Sequence, residues 1–292
     1  MKERIKFITA TVLYGTIGLF LRYVELPSEA VALYRGILGA LTLWVFRLLR
    51  KERPDAGAIR NNLLWLLLSG VGLGLNWIFL FAAYVNTTVA IASLCNYMAP
   101  ILVICLTPLV LKEKLDLRKI PCILAALVGI VLVSGVIDGG IVGPSGVVFG
   151  LLGACCFVGI VFCNRKLHDI SPFDRALVQL AVSALTVLPY VLIKNKKLPL
   201  PGDLKSGLIV LMLGVLQTGV AYCLYFSGMA NLPLQSVAIL GYIEPVVSVL
   251  CSVLFLKEPL GWYGWIGAVL ILAAAVISEI IPPKNPPKEA EK

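Results

Sequence analysis

Apolar residues run through this chain in long stretches that are separated by short polar segments. A helix that spans a lipid bilayer needs about 20 mainly apolar residues in succession. The stretches that meet this requirement lie at about 5–23, 28–47, 62–84, 88–111, 117–136, 144–164, 172–193, 205–229, 234–256 and 261–281. The pattern therefore predicts an all-α integral membrane protein with ten transmembrane helices.

A segment in the first half of the chain returns in the second half. Tyr97–Pro100, followed by Lys-Glu at 112–113, reappears as Tyr242–Pro245, followed by Lys-Glu at 257–258. The offset between the two tyrosines is 145 residues (242 − 97). Shorter matches in the other predicted helices share nearly the same offset. The chain is therefore predicted to consist of two repeats.

Each repeat holds five predicted helices, and five is an odd number. The second repeat must therefore enter the membrane from the opposite side, which gives inverted repeats. We assign residues 1–140 to the first repeat and 141–281 to the second. The remaining 282–292 are rich in Pro, Lys and Glu and predict a disordered cytoplasmic tail.

The positions of Lys and Arg predict the orientation in the membrane. Most of these 25 residues fall in the segments that are cytoplasmic if both termini are cytoplasmic. The loop at 194–205 runs against this rule. We therefore predict a multi-pass protein of the plasma membrane, with both termini inside.

Composition excludes several other classes of protein. Residues are 59% hydrophobic and only 14% charged, so the natural solvent of this surface is lipid. The net charge of +9 comes from loop residues rather than from one face, which argues against nucleic acid as a partner. The eight cysteines lie in apolar stretches without a C-x-x-C pair, and His168 is the single histidine. Neither a metal site nor a cofactor is predicted.

Glu244 is predicted to lie about ten residues into the ninth helix, near the middle of the bilayer. A carboxylate there costs ~3 kcal/mol on insertion scales. Gly241, Ser248, Cys251 and Ser252 share its helical face, so the side chain should point into the bundle. It could contact a substrate amine, couple transport to protons, or be a buried carboxyl that holds helices together.

Arg35 lies in the second predicted helix, on a face of small residues that suits close helix packing. Three functional interpretations are open: it binds an anionic group of a substrate, pairs with Glu244, or holds an inner gate. The structural alternative is that its side chain extends to the membrane surface.

Pro100 and Pro245 each remove one backbone hydrogen bond from a predicted helix, at ~3 kcal/mol if nothing compensates. The carbonyls released, those of Asn96 and Gly241, need a polar partner or a water-lined cavity in the membrane. These prolines are therefore predicted helix breaks at a binding site. A simple packing kink is the alternative.

Further polar and aromatic residues recur at similar depth in other helices. For any one of them, packing explains the position as well as ligand contact does. Together they could line an aqueous cavity with aromatic walls. The predicted substrate-binding set, besides Arg35 and Glu244, is Tyr14, Asn76, Trp77, Asn96, Gln179, Gln217, Tyr222 and Tyr225.

Motif residues in the two halves carry a resemblance to a known family. They are AAYVN at 82–86, Ala99-Pro100 and LKE at 111–113, and then Tyr222, Tyr225-Phe226, Ile243–Pro245, LKE at 256–258 and Gly267-Ala268. These runs resemble EamA domains of the drug/metabolite transporter superfamily, with one copy at 10–136 and another at 144–281. Glu244 matches the Glu-Pro that many members carry in helix nine, whereas Ala99 occupies the equivalent position in the first repeat.

The resemblance implies inverted repeats around a central cavity, alternating access, and transport of amino acids, amines, nucleosides, other metabolites or drugs, commonly outward. We therefore predict a secondary transporter, an exporter of a small metabolite, with the lipid bilayer and that substrate as partners. An uptake carrier of the same fold is the alternative. An enzyme is disfavoured, because the sequence shows neither a cluster of metal-binding residues nor a nucleophile with its base. A channel or structural bundle would need no alternating access, and the small-residue faces leave homo-oligomers open.

Overall fold

A computed structural model describes residues 2–51, 53–110, 117–133, 143–229, 232, 237 and 240–281. Within these ranges the chain forms helices and connecting turns and contains no β-strand. The first Lys-Glu pair of the repeat, at 112–113, and the tail predicted for 282–292 lie outside the described residues. The prediction of an all-α protein is confirmed for the part of the chain that is described.

Apart from the short helix Ala56–Asn61, the helices coincide with the apolar stretches of the sequence. A π-helical segment, Met212–Val220, joins the eleventh helix to the twelfth. In chain order the helices are α1 (Lys2–Gly15), α2 (Ile17–Leu21), α3 (Ser28–Leu49), α4 (Ala56–Asn61), α5 (Leu63–Asn86), α6 (Val89–Asn96), α7 (Ala99–Val110), α8 (Ile120–Val133), α9 (Pro144–Asn164), α10 (Pro172–Asn195), α11 (Leu204–Leu211), α12 (Ala221–Met229), α13 (Ile243–Leu254) and α14 (Trp262–Ile280).

Seven helical segments among the described residues are long and apolar enough to cross a membrane. They are Lys2–Leu21, Ser28–Leu49, Leu63–Asn86, Val89–Val110, Pro144–Asn164, Pro172–Asn195 and Leu204–Met229. The apolar helices at Ile243–Leu254 and Trp262–Ser278 are shorter. The fold is that of a multi-pass membrane protein, because so many apolar segments cannot all be buried inside one soluble domain.

Several of the long helical segments are interrupted near their middle. The first breaks at Thr16, between α1 and α2, and α6 and α7 are separated by a turn at Tyr97 and Met98. Another turn at Tyr242 directly precedes α13. The last two interruptions lie just before Pro100 and Pro245, where proline removes a helical hydrogen bond. Irregular backbone is thus concentrated at similar positions in the two halves of the chain.

Small residues let these helices approach closely. A Cβ atom on Gly129 of α8 would come within 2.9 Å of the Gly267 carbonyl oxygen in α14. One on Gly74 of α5 would lie 3.0 Å from the Ser183 carbonyl oxygen of α10. Such contacts are typical of helix packing in lipid, where van der Waals packing replaces the hydrophobic effect. Two buried apolar clusters result, one around α3, α5 and α10 and the other around α6, α8 and α14.

Candidate functional site

The Glu244 carboxylate lies at the first turn of α13, directly after the break at Tyr242. The positive end of the helix dipole favours a carboxylate at this position. The Tyr97 hydroxyl, from the break between α6 and α7, interacts with this carboxylate. Gly15 at the end of α1 packs on the same turn, since a Cβ there would lie 2.6 Å from the Glu244 carbonyl oxygen. Three helix interruptions therefore meet at Glu244.

The Arg35 side chain is buried among aromatic rings rather than extended to the membrane surface. Its exposed fraction is 4%. The guanidinium carbon lies 4.6 Å from the Trp77 ring centroid and 5.3 Å from that of Phe81. Nε donates a hydrogen bond of 3.0 Å to the Thr218 hydroxyl. Cation–π contacts and one hydrogen bond thus hold the charge within the helix bundle.

Arg35 and Glu244 belong to one electrostatic cluster, and each acts on the charge of the other. Among the described residues, however, they do not form an ion pair within 4 Å. The Glu244 carboxylate interacts with the Tyr97 hydroxyl, and the Arg35 guanidinium is hydrogen-bonded to the Thr218 hydroxyl. Two opposite charges therefore face a shared region of the bundle without neutralising each other directly.

A wall of tyrosine rings lies close to these charges. The Tyr14 ring centroid lies 5.9 Å from that of Tyr222 and 6.0 Å from that of Tyr225. Their hydroxyls interact electrostatically with Glu244, and those of Tyr14 and Tyr222 also with Arg35. Of the predicted set, the structure thus brings together Tyr14, Arg35, Trp77, Tyr222, Tyr225 and Glu244.

Asn76, Asn96 and Gln179 are used to tie helices together. Asn76 Nδ2 donates to Asn96 Oδ1 at 3.0 Å and to the Gly153 carbonyl at 2.8 Å. Gln179 Nε2 donates to Ser69 Oγ and Asn164 Oδ1, both at 2.7 Å. These bonds link α5 to α6, α9 and α10, and they do not connect with Arg35 or Glu244.

Gln217 lies in the π-helical segment and is 1% exposed. Its Nε2 donates a hydrogen bond of 2.7 Å to Thr16 Oγ1, at the break between α1 and α2. The Thr16 hydroxyl donates its own hydrogen to the Leu13 carbonyl, so it must accept from the glutamine amide. Gln217 Oε1 is left buried without a hydrogen-bond partner among the described residues. The π-helix and the helix break are thus joined at a point with an unused acceptor.

The sequence prediction missed residues that complete this cluster. The Tyr84 hydroxyl lies 3.3 Å from Ser93 Oγ, which in turn lies 2.5 Å from Ser248 Oγ. This chain of hydroxyls connects α5, α6 and α13 one turn from Glu244. Tyr97 and Tyr84 stood in the repeated and family motifs, so position in the motif was the available signal. No sequence signal distinguished Thr218, because its role depends on the approach of α3.

Ion pairs close the two ends of the bundle. At the end formed by α2, α6 and α13, Arg22 Nη2 lies 2.6 Å from Glu258 Oε1, and Glu258 Oε2 accepts from the Val89 amide at 2.8 Å. At the opposite end, Arg47 of α3 pairs with Asp174 of α10. Both members of the second pair are buried, with side-chain exposures of 9% and 2%.

A multi-pass helical bundle with charged and aromatic side chains gathered around helix breaks in its interior defines a membrane transporter. The chain belongs to the EamA-like transporter family, whose family model matches residues 2–135 and 144–279. The resemblance read from the motif residues is therefore confirmed, and the protein is not an enzyme but a transporter.

Relatives of the chain in other organisms are also named as transporters. An uncharacterized transporter of Archaeoglobus fulgidus is 31% identical over 280 residues, which is 93% of this chain and 94% of that protein. The uncharacterized transporter YxxF of Bacillus subtilis is 26% identical and covers 94% of this chain and 88% of its own length. A crystal structure with 20% identity superposes with a TM-score of 0.67 over 95% of this chain and 97% of the other, which shows the same fold.

Proposed function

We propose that the protein is a secondary transporter that exports a small metabolite, such as an amino acid, an amine or a drug-like compound, by alternating access. Ten transmembrane helices would form two inverted five-helix repeats around the Glu244–Arg35 cluster. The observation that carries this proposal is that helix breaks from both halves of the chain meet beside Glu244, a half-buried carboxylate with no ion-pair partner among the described residues. Broken helices at such a place commonly build the substrate site of a carrier.

The helix contacts support the inverted repeat. The contact of α5 with α9 has its counterpart in that of α12 with α1 when the halves are exchanged, and the contact of α6 with α9 has its counterpart in that of α13 with α1. Helices α3 and α10, α6 and α13, and α8 and α14 occupy equivalent places and pack on one another. The equivalent residues Tyr97 and Tyr242 also touch, with ring centroids 6.5 Å apart. Contacts between equivalent residues are expected next to a two-fold axis.

Charged residues at the ends of α3 and α10 follow the same symmetry. Glu29, at the start of α3, pairs with Lys194 near the end of α10 at 3.1 Å. Asp174, which occupies the equivalent position at the start of α10 (174 − 29 = 145), pairs with Arg47 near the end of α3. The two helices are thus joined at both ends by an acid from one and a base from the other. This supports an antiparallel pair at the centre of the repeat.

With both termini cytoplasmic and the protein in the plasma membrane, the Arg22–Glu258 pair lies at the outer end of the bundle. It joins the end of α2 to the segment after α13, and Arg22 Nη2 also donates to the Thr87 carbonyl at 2.8 Å. These bonds hold together elements from both repeats. We propose that they are part of the outer gate and that they break when the central site opens outward.

Breaking this gate should expose the centre from outside. In a variant without the eight native cysteines, Ser248→Cys is expected to react about fivefold faster with a membrane-impermeant thiol reagent when Arg22→Gln is added, because loss of an exposed ion pair costs about 1 kcal/mol. The rate is measured in intact cells. Lys6→Gln is the control, since it breaks the exposed Lys6–Glu3 pair at the other end. Equal labelling with and without Arg22→Gln would show that the Arg22–Glu258 pair is not part of the outer gate.

Glu244 is the residue that we propose for coupling. A carboxylate inside the bundle, beside the Tyr97 hydroxyl, can hold either a proton or the cationic group of a substrate. Binding of one would then release the other. Proton entry from one side would drive substrate exit to the other, with no metal or cofactor.

Counterflow separates this proposal from a channel or a static bundle. Proteoliposomes are loaded in turn with unlabelled phenylalanine, leucine, lysine or phenethylamine, and a trace of the same labelled compound is added outside. A carrier accumulates the label transiently for at least one compound, because the unlabelled molecules inside return the site to the outer face. A pore gives no such overshoot. Its absence for all four compounds, with leakage in place of exchange, would contradict the carrier.

A further inference from the structure

Arg175 is a half-buried cation that lies outside the substrate-binding set predicted from the sequence. It lies in the first turn of α10, and its guanidinium carbon is 5.8 Å from the Phe226 ring centroid. Its charge acts on the hydroxyls of Tyr222 and Tyr225, which belong to the wall of the central cluster. The side chain therefore borders the same aromatic region as Arg35 and Glu244.

The carboxylate beside Arg175 in the sequence does not neutralise it. Asp174 pairs with Arg47. Its carboxylate also accepts a hydrogen bond of 2.9 Å from the Ser171 hydroxyl, and its backbone amide donates one of 3.0 Å to the same hydroxyl. Among the described residues, no carboxylate lies within 4 Å of the Arg175 guanidinium. The same holds for Arg35. Two arginines thus lack an anionic partner. This is costly for Arg35, whose charge is buried, and Arg175 is half-buried.

Tyr222 is a neighbour that the two arginines share. Its hydroxyl interacts electrostatically with both Arg35 and Arg175, as well as with Glu244. Arg175 is three residues from the start of α10, about 5 Å along its axis, and Arg35 is seven residues from the start of α3, about 10 Å. Because α3 and α10 run antiparallel, Arg175 lies near the inner end and Arg35 deeper in the bundle.

We propose that the transported substrate carries an anionic group, and that Arg175 and Arg35 bind this group in turn on its way from the inner end to the centre. This inference rests on the proposed function and adds the substrate class. A guanidinium with free terminal N–H groups is suited to a carboxylate or a phosphate, because it offers paired donors. The aromatic rings of Trp77 and Phe226 keep each guanidinium in place while its anionic partner is absent.

Glu244 then indicates a second charged group on the substrate. A substrate whose anionic group lies on Arg35 can place a cationic group on Glu244, since the two charges face one region without touching. The substrate is therefore a zwitterion rather than a simple amine or a cationic drug. The tyrosine wall close to the charges would contact its uncharged part.

Matched sets of compounds test this class. Each set contains an amino acid, the amine without its carboxylate, and the acid without its ammonium group: phenylalanine with phenethylamine and 3-phenylpropionate, and leucine with isopentylamine and 4-methylpentanoate. Counterflow is expected to be at least about tenfold faster for the amino acid than for its amine, since a charge-assisted hydrogen bond is lost. An amine carried as well as its amino acid would overturn the inference and leave the carrier intact. No counterflow with any compound would overturn both.

Arg175→Gln should raise the KM for the amino acid at the inner face about tenfold and leave the maximal rate nearly unchanged, because the group acts on entry. Arg175→Lys should restore most of the loss, and the KM for the amine should not move. Lys166→Gln is the control, since this exposed cation lies on the same inner loop. Equal loss for amino acid and amine, without rescue by lysine, would show that Arg175 is only structural.

Discussion

Replacing Glu244 by glutamine is expected to abolish the response of transport to a pH gradient. In proteoliposomes of the unaltered protein, an imposed gradient should accelerate export of the substrate. In Glu244→Gln the rate should be the same with and without the gradient and lower by about ten- to a hundredfold, because the amide neither exchanges a proton nor offers a charge. The assay compares initial rates with and without the gradient.

Glu25→Gln is the matched control, because this carboxylate is exposed in the connection that precedes α3. Its rate and its response to the gradient should equal those of the unaltered protein. Full activity and full pH response in Glu244→Gln would show that the carboxylate only holds helices together. Tyr97→Phe should have a smaller effect of the same kind, since it removes the hydroxyl and keeps the ring beside Tyr242.

The second large effect concerns stability rather than transport. Asp174→Ala should lower the free energy of unfolding by about 3–5 kcal/mol, because it leaves Arg47 buried without its counter-ion. For a chain of this length the loss corresponds to a fall in Tm of roughly 10 °C. The melting temperature of the purified protein in detergent is the direct measurement.

Lys194→Ala supplies the comparison within the same protein. Lys194 belongs to the symmetry-equivalent pair, but 54% of its side chain is exposed, so its removal should cost about 1 kcal/mol or less. The large difference follows from burial, since the two pairs join the same two helices. If both variants melted at the same temperature, the Arg47–Asp174 pair would not be a buried ion pair in the membrane.

The positions of the helices could be predicted because a bilayer imposes a minimum apolar length on each span. Each predicted stretch contains a described helix, and the breaks before Pro100 and Pro245 follow from the missing amide hydrogen of proline. The interruption at Thr16 could not be predicted in this way, because no proline marks it. It depends on close packing of Gly15 against α13.

The candidate site could be predicted only in part. Charge in an apolar helix identifies Arg35 and Glu244, since lipid excludes both unless they face the interior. Asn76 and Gln179 gave the same signal, yet their amides are bonded to partners on other helices. Which role a polar residue takes depends on what the neighbouring helix presents. A single sequence does not contain that information.

The two halves of the chain differ at the position that follows each helix break. Ala99 and Glu244 occupy equivalent positions after breaks that lie side by side, so one break carries a methyl group and the other a carboxylate. In the proposed carrier, two-fold symmetry would allow the bundle to close at either end. The departure from symmetry, with Glu244 on one side and Arg35 and Arg175 on the other, would give a zwitterionic substrate a preferred orientation.

Alternating access is the central claim, and accessibility from the two faces tests it most directly. In the cysteine-free protein, Ser248→Cys reports on the outer side of Glu244 and Phe173→Cys on the inner end of α10. Labelling is measured from each face in membrane vesicles of known orientation, with and without Arg22→Gln. The account predicts that Arg22→Gln raises labelling at residue 248 from outside and lowers labelling at residue 173 from inside. If labelling at both positions rose together, the two ends would not open in alternation, the protein would be a pore, and the account would be wrong.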